Sequence, residues 1–506
     1  MFSEPDLKQF ADAGNGVFPA AGSDITTFSP ESEAELRELL HLAASGNIPV
    51  TVSAALTGLT GAAVPLESGW RIDTSGLTTL PDRPDYRRVA PFLLLREKDP
   101  RQGLVAPGTP LRELNEVLRG LDLWYPPHPG ETRALIGGNV ATNASGSRTF
   151  AFGATREYVE SLRVLLATGD VLDLRRGRER VRDGAFRAAT EGGWELEGKV
   201  PDYLMPRVKN ASGLFVEPDM DLVDLFVGSE GLLGVFSEIG LRFLPRRELI
   251  SEIFFFPSDA AALDFTDGLR SLKTQSSRYP APDSEGAFGV IALEYFDANS
   301  LRLARESGHA VPVSARAGIE VEAFAGDTFT WVKVGVLADA LGCVGIVPPD
   351  ATAGFRYSVP RRVAELLKER GRAKLGTDFA VPQASFREMF RMYGEKAREF
   401  TAGREGVHTA LWGHVGDCHL HLNFLCESEE DTRRAAGIYR ELVRKAVSLG
   451  GAVSAEHGVG KKTLADEQGF PRPYLWYQYG ERYKQIADVK KVFDPQGLLN
   501  RGNMGV

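Results

Sequence analysis

The chain has 506 residues, with 68 acidic against 59 basic side chains for a net charge of −9, and is 43% apolar and 25% charged. At about 150 residues per domain, this length predicts three domains or two large ones, with enough chain to bury a core unaided. Its balance excludes general disorder, and a net acidic chain offers no footprint for non-specific binding to nucleic acid.

Residues Pro30–Asn47 read as a helix, since Leu36, Leu39, Leu40 and Ala43 recur at helical spacing behind Ser32 and acidic residues. Pro49–Val52 and Gly69–Asp73 read as strands around a turn of small residues, Ser53–Pro65. Pro110–Arg119 is a short helix, Gly120–Tyr125 leads into a Pro-rich bend, and Ala134–Gly146 is a second small-residue loop. Strands follow at Leu162–Ala167 and Asp170–Leu174, and the basic run Arg175–Arg182 reads as a solvated loop. Pro245–Arg247 is a plausible boundary. Beyond it, strand Leu249–Phe256, helix Ala260–Leu272, strand Gly289–Glu294 and helix Asn299–Ser307 suggest a mixed sheet with helices on one face. Helices at Ser385–Glu399 and Arg433–Leu449 flank a His-rich strand–turn segment, and a largely helical tail from Tyr474 stops at Asp494–Pro495.

Three cysteines (Cys343, Cys418, Cys426) cannot make a disulfide framework or supply four thiolates to an iron–sulfur cluster. Apolar runs such as Ile253–Pro257 fall far short of the ~20 residues that span a bilayer, and MFSEPDLKQF has no signal-peptide character. The expectation is a cytoplasmic protein.

Two residue types are unevenly informative. There are 54 glycines where ~7% of the chain would be about 35. Only eight histidines occur, yet His408, His414, His419, His421 and His457 fall within fifty residues. Small-residue loops let backbone N–H groups approach a phosphate, although no GxxxxGK[ST] is present and no GxGxxG links a strand to a helix. In GHVGDCHLHLN (Gly413–Asn423), His414 and His421 can meet if Gly416 turns the chain, and His419, His421 and Asn423 share a strand face. SAEHGVG (Ser454–Gly460) adds the carboxylate of Glu456 and a free imidazole, His457, as a base. Two imidazoles and a carboxylate suit a borderline divalent metal: zinc first, with manganese or iron as alternatives.

Taken in order, TGLTGAAVP (Thr57–Pro65), YPPHPGE (Tyr125–Glu131), IGGNVATNASG (Ile136–Gly146), GATREYV (Gly153–Val159) and GSEGLLGVF (Gly228–Phe236) resemble the FAD-binding half of the vanillyl-alcohol-oxidase (PCMH-type) superfamily. GHVGDCHLHLN, AEHGVG and KKVFDPQGLLN (Lys490–Asn500) resemble the C-terminal half of FAD-linked D-2-hydroxy-acid dehydrogenases, such as glycolate oxidase FAD subunits, D-lactate dehydrogenases and D-2-hydroxyglutarate dehydrogenases. There the usual form reads GHxGDGNLH, and this chain has Cys418-His419 for Gly-Asn.

The resemblance implies an α+β fold. A PCMH-type FAD domain of two subdomains would span residues 1–246, and a ferredoxin-like substrate cap 247–455. Residues 456–506 would be a helical segment returning to the FAD domain. It implies non-covalent FAD held by Thr57, Gly58, Leu59, Thr60, Gly61, Pro126, Pro129, Gly130, Gly137, Gly138, Asn139, Thr142, Asn143, Ser145, Gly146, Gly153, Glu230, Gly234, Val235 and Asn500. Ser53, Ala54, Ala55 and Leu56 stand where relatives carry several glycines, so any of these needing φ > 0 would be strained. On the family pattern His414, His421 and Glu456 bind the metal, His457 is the base and Asn423 lies near substrate. FRYSVPRRVAELL (Phe355–Leu367) and KLGTDFAVP (Lys374–Pro382) resemble the segments carrying the substrate-carboxylate arginine, here Arg356, and a lysine, here Lys374.

The implied activity is oxidation of a small D-2-hydroxy acid to the 2-oxo acid. Electrons would pass to oxygen, a quinone, an electron-transfer flavoprotein or an iron–sulfur subunit. The chain would be a homo-oligomer or complex subunit, in the cytoplasm or held at a membrane by a partner. Two rivals share part of the pattern: a non-redox flavin transferase of the alkylglycerone-phosphate-synthase type, and a non-catalytic FAD-carrying subunit.

Overall fold

The computed structural model describes residues 24–272, 289–352, 354–370 and 373–506, so the N-terminal MFSEPDLKQF segment lies outside it. Strand β1 (Ile25–Phe28), helix α1 (Glu33–Gly46), β2 (Val50–Ser53) and β3 (Gly69–Asp73) open the chain. The three strands form a parallel sheet in the order β1-β3-β2. Ser32 caps α1 by accepting the Glu35 N–H, and Leu36, Leu40 and Ala43 pack against Val50, Ile72 and Leu499. Leu499 comes from the far end of the chain. A parallel bridge joins it to Val50, and Asn500 closes the seam by accepting the Val52 N–H through its side chain at 2.6 Å.

A second, six-stranded sheet is antiparallel throughout. Its members are β4 (Tyr86–Ala90), β5 (Leu93–Arg96), β6 (Gln102–Val105), β7 (Val159–Leu165), β8 (Val171–Arg175) and β9 (Val235–Arg242), in the order β4-β5-β6-β9-β7-β8. Between β6 and β7 the loop at Ala134–Gly146 differs from expectation. Ile136–Ala141 forms a short helix, α2, with Ile136 and Val140 fully buried, so two apolar anchors suffice to coil a Gly-Gly segment. The basic run is solvated as expected, with Arg175, Arg178, Arg180 and Arg182 exposed. Arg176 is half-buried and forms a fork on the Asp224 carboxylate at 3.0 Å, tying the segment down.

The larger sheet contains β10 (Leu249–Phe256), β11 (Val290–Phe296), β12 (Ala317–Phe324), β13 (Gly345–Val347), β14 (Ala373–Gly376), β15 (Thr409–Gly413) and β16 (His419–Cys426). Their order is β13-β10-β12-β11-β15-β16-β14, and Phe379–Ala380 also pairs with β16. Two expectations are corrected here. Every pairing is antiparallel rather than mixed. Both faces, not one, carry helices: Phe254 and Phe256 meet Phe265 of α3 (Asp259–Arg270), while Phe255 meets Phe355 of α4 (Phe355–Arg370). Adjacent side chains on a strand point oppositely, so IFFF can be apolar throughout only where both faces are covered.

Candidate functional site

The hairpin β15–β16 lies inside this sheet and carries the histidine motif. His414 ends β15's run, and His419, His421 and Asn423 project from β16. Gly416 lies within the 3-10 turn Val415–Asp417 that brings His414 and His421 together, and a Cβ there would meet the Phe150 ring at 2.9 Å, so its smallness also serves packing. The left-handed residue of the turn is Cys418, with φ 55°. Its buried thiol lies 3.2 Å from an Arg270 guanidinium nitrogen, and burial pushes its pKa up to about 12, so it is a neutral bystander to the imidazoles.

Glu456 is the hub. Its carboxylate lies 3.1 Å from His414 Nε2, 3.2 Å from His421 Nε2 and 3.6 Å from His457 Nε2. Each outer ring nitrogen has its own anchor: His414 Nδ1 is 2.6 Å from Glu294, His421 Nδ1 is 2.9 Å from the Thr377 carbonyl, and His457 Nδ1 is 3.3 Å from Asp378. Burial works to raise the Glu456 pKa, but His414, the Lys209 ammonium and His419 outweigh it and hold the carboxyl well below the usual range. Asp378 behaves alike: burial opposes ionisation, while His457 and His419 hold its pKa well down. Glu294, buried beside Arg356 and His414, is brought to about 2 against the same opposing burial. Burial lowers the pKa of His457, yet the Asp378 carboxylate more than compensates and raises it.

Three members of this cluster were not singled out from sequence as site residues: Lys209, Glu294 and Asp378. Lys209 Nζ lies 2.6 Å from Glu456 Oε2 and donates to the Gly146 carbonyl at 3.2 Å, although 247 residues separate the ion pair in sequence. One signal for Glu294 was legible: it is the single charge in VIALEYF, a strand buried along its whole length.

Arg356 lies on α4, donates to Ser147 Oγ at 2.6 Å, and its Nε is 3.7 Å from Glu294. Lys374 and Asn423 come together over Gly376, where a Cβ would sit 2.8 Å from Asn423 Oδ1 and 3.7 Å from Lys374 Nζ. Glycine lets both polar ends approach one backbone. The described residues bring His414, His419, His421 and Glu456 close enough that one ligand atom from each lies within 4.8 Å of the others. Three nitrogens and a carboxylate oxygen suit a borderline divalent ion. A fully buried His419 Nδ1 without a hydrogen-bond partner is a position such an ion would satisfy.

Alongside lies a cavity open to solvent. Thr57, Gly58, Thr60, Gly61, Gly137, Gly138, Asn139, Thr142, Glu230, Gly234, Val235 and Asn500 line it. Leu59, Pro126, Pro129, Gly130, Asn143, Ser145, Gly146 and Gly153 do not. Gly130 has open space around it, Asn143 turns its side chain to the Arg156 N–H, and Gly146 meets Lys209 instead. The walls also include Ala62, Ala63, Leu135 and Phe236, unremarkable in sequence. Asn139 Nδ2 is buried there without a hydrogen-bond partner, as fits a wall built to meet a polar ligand. Leu56, also on the wall, has φ 56°, the strained conformation that its glycine-free setting foreshadowed. His128 is a half-buried ring whose pKa is lowered to about 3, chiefly by burial, and it is not part of the cavity wall.

The two centres are joined by backbone. Glu230 accepts the N–H groups of Val459 and Gly460 at 2.8 and 2.6 Å, and the Lys461 N–H reaches the Thr60 carbonyl at 3.0 Å. The loop that begins at Glu456-His457 is therefore fastened to the cavity wall within four residues.

Comparison with known proteins agrees with this geometry. Residues 26–175 match the FAD binding domain, and residues 284–504 match the FAD linked oxidases, C-terminal domain. A D-lactate dehydrogenase of Archaeoglobus fulgidus is 26% identical over 516 residues, covering 100% of this chain and 96% of that protein. The glycolate oxidase subunit GlcD of Bacillus subtilis is 24% identical, covering 94% and 88%. Among solved structures, an alkyldihydroxyacetonephosphate synthase superposes with a TM-score of 0.63 at 14% identity, over 94% of this chain and 75% of the other, a likeness of fold alone. Among the described residues no helix is long and apolar enough to cross a membrane. With an FAD-binding domain of the PCMH type joined to an FAD-linked oxidase C-terminal domain, the chain belongs to the FAD-linked oxidoreductases.

Proposed function

We propose that the protein oxidises a small D-2-hydroxy acid, of the glycolate, D-lactate or D-2-hydroxyglutarate type, to the 2-oxo acid. The observation that carries this reading is the convergence of two imidazoles, a carboxylate and a further anchored imidazole beside the cavity wall. Full-length similarity to proteins named D-lactate dehydrogenase and glycolate oxidase supports the substrate class. When bound, FAD would accept the Cα hydrogen with its electron pair, as hydride, and a divalent ion (zinc first, manganese or iron as alternatives) would lower the pKa of the substrate hydroxyl.

The rest falls to the chain's own side chains. His414, His421 and Glu456 would hold the ion. Arg356 offers the planar fork that suits a carboxylate, held in place by Glu294 and Ser147. Asn423 and Lys374 would bind the substrate's remaining polar atoms. His457 takes the hydroxyl proton at Nε2: Asp378 at 3.3 Å keeps the ring N–H on Nδ1 and strengthens the base. Electrons would leave the protein to a quinone, an electron-transfer flavoprotein or an iron–sulfur subunit.

The test is anaerobic. Glycolate, D-lactate and D-2-hydroxyglutarate are added separately to the yellow protein with zinc, manganese or iron present, and the flavin band is followed, with L-lactate as control. At least one D-2-hydroxy acid should bleach it and L-lactate should not. His457→Ala should retain FAD and bleach on the order of 10²-fold slower or more. Bleaching by none of the acids sinks the reading, and an unslowed His457→Ala removes His457 as base.

A further inference from the structure

His419 has no task in the reaction as proposed, yet its environment is the most constrained of the histidines. The ring is wholly buried. Its Nε2 lies 2.9 Å from Asp378 Oδ1, and its Nδ1 faces Glu456 Oε2 at 4.0 Å. Ring centroids stand 4.5 Å from His421 and 5.3 Å from His414. A neutral imidazole has one N–H and one lone pair. Neither ring nitrogen meets hydrogen-bond geometry, and the Asp378 contact is a close approach of charge to Nε2; with the N–H on that side, Nδ1 presents a lone pair into a buried space where it has no partner. An orphaned buried acceptor is costly and asks for an explanation.

The three imidazoles share one plan. His414 has its outer nitrogen on Glu294, His421 on the Thr377 carbonyl and His419 on Asp378, while the inner nitrogen of each faces Glu456. An outer nitrogen fixed by a carboxylate or carbonyl is the arrangement that orients a ligating histidine. Resting on the reading that this cluster holds a divalent ion, we infer that His419 is a third imidazole ligand, so that the centre is three imidazoles and one carboxylate. That set is richer in nitrogen than His414, His421 and Glu456 alone. It should favour zinc or cobalt over manganese, which prefers oxygen donors.

The test uses the full-length, FAD-loaded protein freed of metal by chelation, its His419→Asn and His419→Gln variants, and zinc, cobalt and manganese salts. X-ray absorption of the zinc-loaded wild type should count three imidazoles, and of the variants two. Zinc affinity should fall tenfold or more in the variants while manganese affinity falls less than threefold, and the visible bands of bound cobalt should change. Thermal melting verifies that the variants fold; should neither fold, the imidazole count on the wild type still decides. Two imidazoles in the wild type, or unchanged zinc affinity and cobalt spectrum in a folded variant, overturns the assignment and leaves the metal site standing. No zinc, cobalt or manganese bound by the wild type overturns the metal site itself and this inference with it.

Discussion

Lys209→Met probes the cluster's charge balance most directly. The ammonium is almost wholly buried and lies 2.6 Å from a Glu456 oxygen. At an effective dielectric constant of 20, two unit charges at that separation attract by about 6 kcal/mol, offset by the desolvation of both groups. Deleting one partner of a buried pair typically costs about 3–5 kcal/mol, because the other charge is left uncompensated. Here His414 and His421 also face the carboxylate, which puts the expected loss at the low end, about 3 kcal/mol. Methionine keeps the volume and removes the charge. Urea unfolding of the chelated protein at pH 7 should show that loss, with an unchanged m-value. A divalent ion then replaces the missing positive charge, so zinc at about 100 times its Kd should restore roughly 2.7 kcal/mol. With no ammonium competing for Glu456, the variant should also bind zinc more tightly than the wild type. A metal-free stability within about 0.5 kcal/mol of wild type would refute the argument that this pair carries the charge balance. Weaker zinc binding would show instead that Lys209 supports the site and does not compete for it.

Other predictions concern backbone strain and protonation. Leu56→Gly removes a left-handed φ of 56° from the cavity wall. The relieved strain of about 1–2 kcal/mol exceeds the added backbone entropy of about 0.5–1 kcal/mol. Urea unfolding of the deflavinated variant should therefore give a stability at least that of wild type, and a lower one would mean that packing of the Leu56 side chain outweighs its backbone strain. Asp297 caps its helix by accepting the Ser300 N–H, and burial raises its carboxyl from 3.8 to about 6. Between those values the folded state binds the extra proton, so this group's contribution to stability falls as pH rises from about 4 through 6. Asp297→Asn keeps the cap without the charge. Its urea midpoint should exceed wild type at pH 8 by the equivalent of about 1–2 kcal/mol, and the advantage should vanish near pH 4. A constant difference across that range would remove Asp297 as its source.

What was legible in the sequence was local, and what was missed was not. GHVGDCHLHLN could be read because its histidines are neighbours on one hairpin, and alternation along a strand puts His419, His421 and Asn423 on one face whatever the sheet does. The partners that fix those rings arrive from elsewhere. Glu294 is 120 residues from His414, Lys209 is 247 from Glu456, and no spacing rule links them. Sheet direction was misjudged for a related reason. Alternating helices and strands fit parallel and antiparallel connections alike, and only the register shows that each pairing in the larger sheet is antiparallel. The contact of Gly416 with Phe150 was not legible, because a glycine in a turn can be kept for closeness as well as for conformation, and a sequence does not say which.

The fastening between the two centres also explains the glycines of AEHGVG without appeal to flexibility. Gly460 has φ 49°, and a Cβ there would sit 2.3 Å from the Thr60 carbonyl oxygen. No other residue allows the loop to lie this close to the cavity wall. Glu230 holds the same loop from the other side through its carboxylate, while its own carbonyl accepts amide N–H bonds at 2.8 Å from both Asn500 and Asn503. Lys209 makes a second tether, from Glu456 to the Gly146 carbonyl. His457 is thus set relative to the cavity by hydrogen bonds that the loop's N–H groups make two to four residues after it, and relative to Glu456 by sequence adjacency. Preorganised charge stabilises a reaction without reorganising during it, provided its supports are rigid. Here those supports are the loop's own N–H groups held by the buried Glu230 carboxylate and the Thr60 carbonyl, so substitutions at Gly460 or Glu230 act on the spacing of the two centres even though neither residue belongs to the metal cluster.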